Sequence, residues 1–154
     1  MSIFHSINNT ASALTAQRVR MDVISSNMAN ADSTRGTYNA ETKEWDPYRR
    51  KMVVLQPNGG SFSSFYNQAL GVDSSSLGNG VKVTKITEDN ETPFKMVYDP
   101  EHPDADKNGY VKMPNVDSLK EMVDLMSATR SYEANVTVMN ASKAMLMKAL
   151  EIGK

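Results

Sequence analysis

The sequence predicts an α+β fold in which two long helices, one towards each end of the chain, flank a small β-rich insertion. Three observations lead to this expectation. Apolar residues recur at a 4,3 spacing near both ends. Runs of β-branched residues separated by turn dipeptides fill the middle, and all six prolines lie there as well. We therefore expect the two helices to pair as a coiled-coil-like bundle.

The N-terminal helix is predicted from one sustained apolar seam, which ends in a run of short polar side chains that terminate helices. Few charges interrupt it, and its many Ser, Thr, Asn and Ala residues leave the helix dependent on neighbours for stability. The seam consists of Ile3, Ile7, Thr10, Leu14, Gln17, Met21, Ile24, Met28 and Ala31.

The middle of the chain predicts four short strands, at residues 51–56, 80–87, 94–98 and 110–113. A Ser- and Gly-rich stretch at about 57–80 is predicted to be a flexible loop. The expected domain organisation is a terminal helical domain of residues 1–33 plus 116–154 and a β-rich insertion of residues 34–115.

The C-terminal helix carries a second seam with the same spacing. Asp117 or Ser118 is the predicted N-cap, Glu121 is placed to close a capping box on Ser118, and Gly153 supplies a left-handed stop. The polar face carries balanced charges, so packing should drive its contacts. The seam consists of Met122, Leu125, Thr129, Tyr132, Val136, Met139, Lys143, Leu146 and Leu150.

Composition excludes several functional classes. The 154 residues suffice for one modest domain, and 17 basic against 18 acidic residues provide no basic face for nucleic acid. The absence of cysteine removes disulfides, thiolate zinc sites and cysteine nucleophiles. Phosphate-binding glycine motifs, nucleophile elbows and zinc-binding histidine motifs are also missing from the sequence. We expect no catalytic residues, no cofactor, no metal, no cleaved signal peptide and no membrane span.

One acidic cluster supports an alternative function. Asp104, Asp106, Asn108 and Gly109 occupy positions 1, 3, 5 and 6 of a calcium-binding loop pattern. Position 12 is Asn115 instead of glutamate, and nearby prolines exclude a preceding helix. A polar hairpin with Asn108-Gly109 at its tip is the favoured interpretation, and a calcium-responsive binding module remains the alternative function. A hydrolase that uses Asp104 and Asp106 is weaker, because no base or nucleophile accompanies them.

Three segments carry a family resemblance. They are SNMANADST at residues 26–34, TPFKMVYDPEHPDADKNGYVKMPNVD at 92–117 and EMVDLMSATRSYEANVTVMNASKAM at 121–145. Together they resemble the proximal-rod subunits of the bacterial flagellar rod and hook axial family. Where this family often reads NTPGY after the first helix, the present chain has Asp-Ser-Thr-Arg-Gly at residues 32–36, which affects the expected shape of that connection.

The resemblance implies a structural subunit without enzymatic activity, exported through the flagellar type III apparatus with its N-terminus intact. In the periplasm it would join the basal-body rod, the helical drive shaft that transmits torque and encloses the export channel. The implied partners are other proximal and distal rod subunits, further copies of the same chain, and the adaptor that links the rod to the membrane ring. Nucleic acid is not among them.

The candidate interface residues combine the two seams with asparagines beside them. The asparagines at 27 and 30, three apart on one helical face, either terminate the helix locally or bridge to a neighbouring subunit's backbone. We expect the seam to form partly within the chain and partly between chains. The set is Leu14, Met21, Ile24, Asn27, Met28, Asn30, Leu125, Tyr132, Asn135, Val136, Met139 and Leu146.

Overall fold

A computed structural model describes residues 3–40, 43–58, 66, 69, 70 and 80–152 of the chain. Within these residues, one long helix precedes and another follows six short strands along the chain. The two helices pack together, so the predicted α+β fold is confirmed. The elements are α1 (Ile3–Ala29), β1 (Thr37–Asn39), β2 (Glu44–Asp46), β3 (Lys51–Pro57), β4 (Val81–Glu88), β5 (Lys95–Tyr98), β6 (Tyr110–Met113) and α2 (Ser118–Ile152).

Both predicted helices are present, with 27 residues in α1 and 35 in α2. Helix α1 ends at Ala29, two residues before the predicted end of its seam. Asp117 is the N-cap of α2, because its Oδ1 accepts hydrogen bonds from the backbone N–H groups of Leu119 (3.1 Å) and Lys120 (3.4 Å). The predicted capping box is wrong, since the Glu121 carboxylate bonds to other parts of the chain. The predicted stop at Gly153 lies outside the described residues.

The four predicted strands are confirmed as β3 to β6, with end points shifted by one residue at most. β3 pairs with β4, and β5 pairs antiparallel with β6 in a register that places Tyr98 opposite Tyr110. The antiparallel hairpin of β1 and β2 was not predicted. Its strands have only three residues each, which is too short for an alternating pattern to be visible in the sequence. Across this hairpin, the ring centroids of Tyr38 and Trp45 lie 5.2 Å apart in an edge-to-face arrangement.

The connection between β5 and β6 differs from the predicted tight turn. The backbone N–H of Asp99 donates to the carbonyl of Gly109 at 2.9 Å, so Asn108-Gly109 lies at the base of a longer loop and not at its tip. Gly109 has a φ of +77°, a left-handed conformation that glycine adopts without a steric penalty.

The chain forms two compact units. One comprises Met1–Val19, Val54–Lys85 and Ala128–Lys154, and the other comprises Arg20–Val53 and Ile86–Ser127. Each unit therefore contains part of both helices and part of the β region. The division into a helical domain and an insertion at residues 34–115 stays a prediction. Most of the loop predicted at about 57–80 lies outside the described residues.

Candidate functional site

The covered face of α1 includes its predicted seam. Every described seam position from Ile7 to Ala31 is buried or half-buried. Ile24 is only 5% exposed, and the interface candidates Leu14, Met21 and Met28 are half-buried. These side chains are therefore already packed to a large extent within the chain.

The covered face of α2 differs from the predicted seam, because its buried residues lie one position earlier in the sequence. The candidates Leu125, Tyr132, Val136, Met139 and Leu146 are all half-buried. The buried positions of α2, however, are small or polar and each lies one residue before a predicted one: Glu121, Ala128 and Ser142. The candidate Asn135 is half-buried. Small side chains allow two helices to approach more closely. The predicted seam positions Met122, Lys143 and Leu150 are exposed within the chain.

A buried amide connects the end of α1 to the strand region. Asn27 is 1% exposed, and its side-chain Nδ2 donates to the carbonyl of Lys51 at 2.9 Å and to Oε2 of Glu121 at 3.1 Å. Its Oδ1 accepts from the backbone N–H of Lys51 at 2.9 Å and from the hydroxyl of Tyr48 at 3.0 Å. The amide therefore bonds both the N–H and the C=O of Lys51, as a neighbouring strand would. Both N–H groups and both lone pairs of the amide are used.

A buried ion pair adjoins this amide. Glu121 is fully buried, and its Oε1 lies 2.6 Å from Nε of Arg50, while Arg50 also lies 3.7 Å from Oδ2 of Asp124. Oδ1 of Asp124 in turn lies 3.3 Å from Nη2 of Arg20 in α1. We call Asn27, Tyr48, Arg50, Asn115 and Glu121 the polar junction, because they bond the end of α1, the segment before β3 and the start of α2 to one another.

The side of the polar junction next to β4 is held by Asn115. Its Oδ1 accepts from the backbone N–H of Arg50 at 2.8 Å, and its Nδ2 donates to the carbonyls of Asp89 (3.0 Å) and Thr92 (3.2 Å). Asp89 closes the turn after β4. Hydrogen bonds from the backbone and hydroxyl of Thr92, with a further one from the Glu91 amide, hold the pKa of Asp89 below its ordinary value.

The candidate Asn30 has a local role. Its Nδ2 donates to the carbonyl of Ser26 at 2.9 Å, and its Oδ1 accepts from the hydroxyl of Ser33 at 3.2 Å. These bonds satisfy groups at the C-terminal end of α1. The two asparagines therefore differ in function within the chain: Asn27 links segments that are distant in sequence, and Asn30 finishes its own helix.

The acidic cluster of the calcium alternative has partners within the chain. Asp104 accepts from Nε of Arg35 at 2.8 Å and from the hydroxyl of Thr34 at 2.8 Å, and these bonds hold the pKa of Asp104 below its ordinary value. Asp106 accepts the backbone N–H of Lys107 at 2.6 Å. Within the described part of the chain, no group of three or more histidine and carboxylate side chains is placed to hold a metal ion. The geometry favours a loop fastened to the segment after α1.

An open cleft of about 440 Å³ lies beside this loop, with Glu44, Trp45, Asp104, Asp106 and Tyr110 among its lining residues. Glu44 lies 3.4 Å from Nζ of Lys112, and Asp104 is paired with Arg35, so two of the three named carboxylates already face a cation. The named lining residues include no nucleophile paired with a base. This arrangement does not indicate a reaction.

Large apolar side chains remain exposed along α2. Leu119 is 73% exposed, and Met122, Val123 and Met126 follow it at positions i+3, i+4 and i+7, which lie on one face of a helix. Adjacent exposed apolar side chains of this kind are common at surfaces that bind a protein partner. Among the described residues, no helix is both long and apolar enough to cross a membrane.

Two family models and several full-length relatives match this chain. Residues 7–36 match the family model "Flagella basal body rod protein", and residues 107–152 match "Flagellar basal body rod FlgEFG protein C-terminal". The chain is 66% identical, over its full length and the full length of the relative, to the flagellar basal-body rod protein FlgC of Bacillus subtilis. The chain belongs to the FlgC family of flagellar basal-body rod proteins.

More distant FlgC proteins also align along the whole chain. The protein of Borreliella burgdorferi is 44% identical, covering 99% of this chain and 98% of its own length, and that of Salmonella typhimurium is 44% identical over all of both chains. Membership of the FlgC family makes the chain a structural subunit of the flagellar rod, located in the basal body. No finding supports the calcium-binding alternative.

The sequence reasoning missed most of the polar junction. Arg50, Asn115 and Tyr48 lie in segments without periodicity, and Glu121 was interpreted as a capping residue. One signal was available for Glu121: it precedes Leu125, Ala128 and Tyr132 at the 4,3 spacing of the covered α2 face. A charged residue in register with a buried stripe indicates a partner of opposite charge elsewhere in the chain.

Proposed function

We propose that this FlgC-family chain assembles with further copies of itself and with other proximal and distal rod proteins into the helical drive shaft. In this assembly the rod transmits torque and encloses the export channel, and an adaptor joins it to the membrane ring. The observation that carries the proposal is the 66% identity, over both full lengths, to a flagellar basal-body rod protein.

The distribution of apolar surface supports this assembly. The interface candidates on α1 are largely packed within the chain, whereas Leu119, Met122, Val123 and Met126 on α2 remain exposed. A subunit with one uncovered apolar face gains free energy when a neighbour covers that face. The candidates Tyr132, Val136 and Leu146 are half-buried, so part of each side chain remains accessible. We propose that they contact both their own chain and a neighbour.

We further propose that the chain reaches the periplasm through the flagellar export apparatus without loss of its N-terminus, and that it catalyses no reaction. The support for the export route is the resemblance of the α1 sequence to axial proteins. The support for a purely structural role is that its relatives are rod proteins.

A complementation experiment tests the proposal. The native bacterium without its chromosomal copy should regain swimming and complete rods, seen by electron microscopy of basal bodies, when it receives the wild-type chain. Val136→Asp should abolish both, because a carboxylate would be buried between helices without a partner. Val136→Ile retains an apolar side chain and is the matched control, which should swim. Complete rods with Val136→Asp, at equal protein level, would contradict the proposed interface.

A further inference from the structure

Two charges on α1 have no partner within the described part of the chain. Helix α1 contains three charged residues, Arg18, Arg20 and Asp22, and Arg20 pairs with Asp124. Arg18 and Asp22 are exposed and form no ion pair with another described residue. They lie four residues apart and therefore on the same outer face of α1.

The outer face of α2 also carries one positive and one negative charge. Arg130 and Glu133 are exposed, three residues apart, and form no ion pair with another described residue. They continue a stripe of exposed residues that begins with the apolar patch at the start of α2. The α2 stripe consists of Leu119, Val123, Met126, Arg130, Glu133, Thr137, Ala141 and Ala144.

We propose that the outer face of α1 in one copy packs antiparallel against the α2 stripe of a second copy, with Asp22 facing Arg130 and Arg18 facing Glu133. This inference rests on the proposed function, since it names the partner and the register of a contact within the assembly. The contact joins two different faces, so it is heterologous and can repeat along a helical array.

The register follows from helix geometry. With a rise of about 1.5 Å per residue, Arg18 and Asp22 are separated by about 6 Å and Arg130 and Glu133 by about 4.5 Å. In an antiparallel arrangement both pairs of opposite charge come together at once. A parallel arrangement with Asp22 beside Arg130 would leave Arg18 opposite Met126 and Glu133 beyond reach, so only one pair would form.

Side-chain sizes match in the same register. In the part of α1 that follows Asp22, this register places Ser25 opposite Met126 and Ala29 opposite Met122 and Val123. Small residues of one helix therefore face large apolar residues of the other. In the other direction Thr15 faces Thr137. Small residues opposite methionines allow close packing of the two helices, and methionine side chains adapt to such surfaces. One chain therefore supplies both complementary faces, which makes a second copy the occupant.

Disulfide trapping tests the contact, and the chain contains no cysteine of its own. Ser25→Cys and Met126→Cys should be placed on two differently tagged copies and expressed together in the native bacterium that lacks the chromosomal gene. After oxidation of purified basal bodies, we expect a species of twice the 17.0 kDa mass that carries both tags. Ser25→Cys with Ala141→Cys is the matched control, because position 141 lies about 22 Å further along α2. It should give no such species. Absence of the product from the first pair, or equal yields from both pairs, would overturn the proposal.

Charge exchange provides the second test. Asp22→Arg and Arg130→Asp should each lower the yield of the crosslinked species several-fold, and the combination in one chain should restore it, since the pair then forms with reversed charges. Asp22→Arg combined with Glu133→Arg is a mismatched control and should restore nothing. If all these variants crosslink as well as the wild-type background, the register is wrong. Normal rods in these strains would leave the proposed function intact, whereas failure of the wild-type chain to restore rods would overturn that function.

Discussion

Nε of Arg50 lies 2.6 Å from Oε1 of Glu121, and the glutamate side chain is fully shielded from solvent. A buried carboxylate is costly unless a cation and hydrogen bonds compensate for its lost hydration. Here Arg50 supplies the cation, and the amide of Asn27 bonds the second oxygen. The pair thus joins the start of α2 to the segment before β3 and requires the correct placement of both.

Removal of the carboxylate should strongly destabilise the protein. Glu121→Ala leaves Arg50, which is only 16% exposed, without its main partner, and such a change costs about 3–5 kcal/mol. The measurement is the free energy of unfolding from urea titrations followed by circular dichroism. Glu133→Ala, an exposed glutamate on the same helix, is the control and should change stability by no more than about 0.5 kcal/mol. Equal effects of the two variants would show that the ion pair contributes nothing.

The two asparagines near the end of α1 should differ in importance. Asn27→Ala removes four hydrogen bonds and leaves the N–H and C=O of Lys51 without this partner, so we expect a loss of about 2–4 kcal/mol. Asn30→Ala removes two bonds close to its own helix and should cost about 1 kcal/mol or less. Urea titrations of both variants under identical conditions measure the difference. The reverse order of stability would refute the assigned roles.

Acid should weaken the fold through Asp89 and Asp104. Hydrogen bonds lower the pKa of each carboxyl in the folded chain below its ordinary value of 3.8. A lowered folded pKa gives stability that is present above the unfolded pKa and is lost as pH falls through the folded pKa. We therefore expect the free energy of unfolding to fall below about pH 4. The double variant Asp89→Asn with Asp104→Asn should be less stable at pH 7 and depend less steeply on pH below 4. Parallel curves for the two proteins would contradict this account.

Gly80 should not tolerate a side chain. Its φ is +85°, and a Cβ there would come within 3.1 Å of Cβ of Ser12 and still closer to its hydroxyl, which accepts the backbone N–H of Val81. Gly80→Ala should therefore lower the midpoint of thermal unfolding and cost about 1–3 kcal/mol. In a Ser12→Ala background the nearest atom is gone, so the additional cost of Gly80→Ala should be smaller. An equal cost in both backgrounds would show that backbone strain, not the close contact, accounts for the effect.

The sequence by itself determined the two long helices, the strands β3 to β6 and the family. Helix periodicity in both terminal segments depends on local spacing, and the strands β3 to β6 follow from β-branched runs between turn residues, so these features are visible without a fold. The full-length relationship to FlgC proteins is likewise a property of the sequence.

Tertiary structure decided which face of each element is covered. The sequence favours large apolar residues for the α2 seam, yet Glu121, Ala128 and Ser142 are buried while Met122 and Leu150 are exposed. Burial of a glutamate depends on an arginine 71 residues away in the chain, and no local pattern encodes such a partner. Close helix approach favours small residues inside and leaves the large ones outside, where a neighbouring subunit can cover them. Pairing between residues distant in sequence therefore decided which α2 residues are buried. The large apolar residues that the chain does not bury form the outer face of the helix.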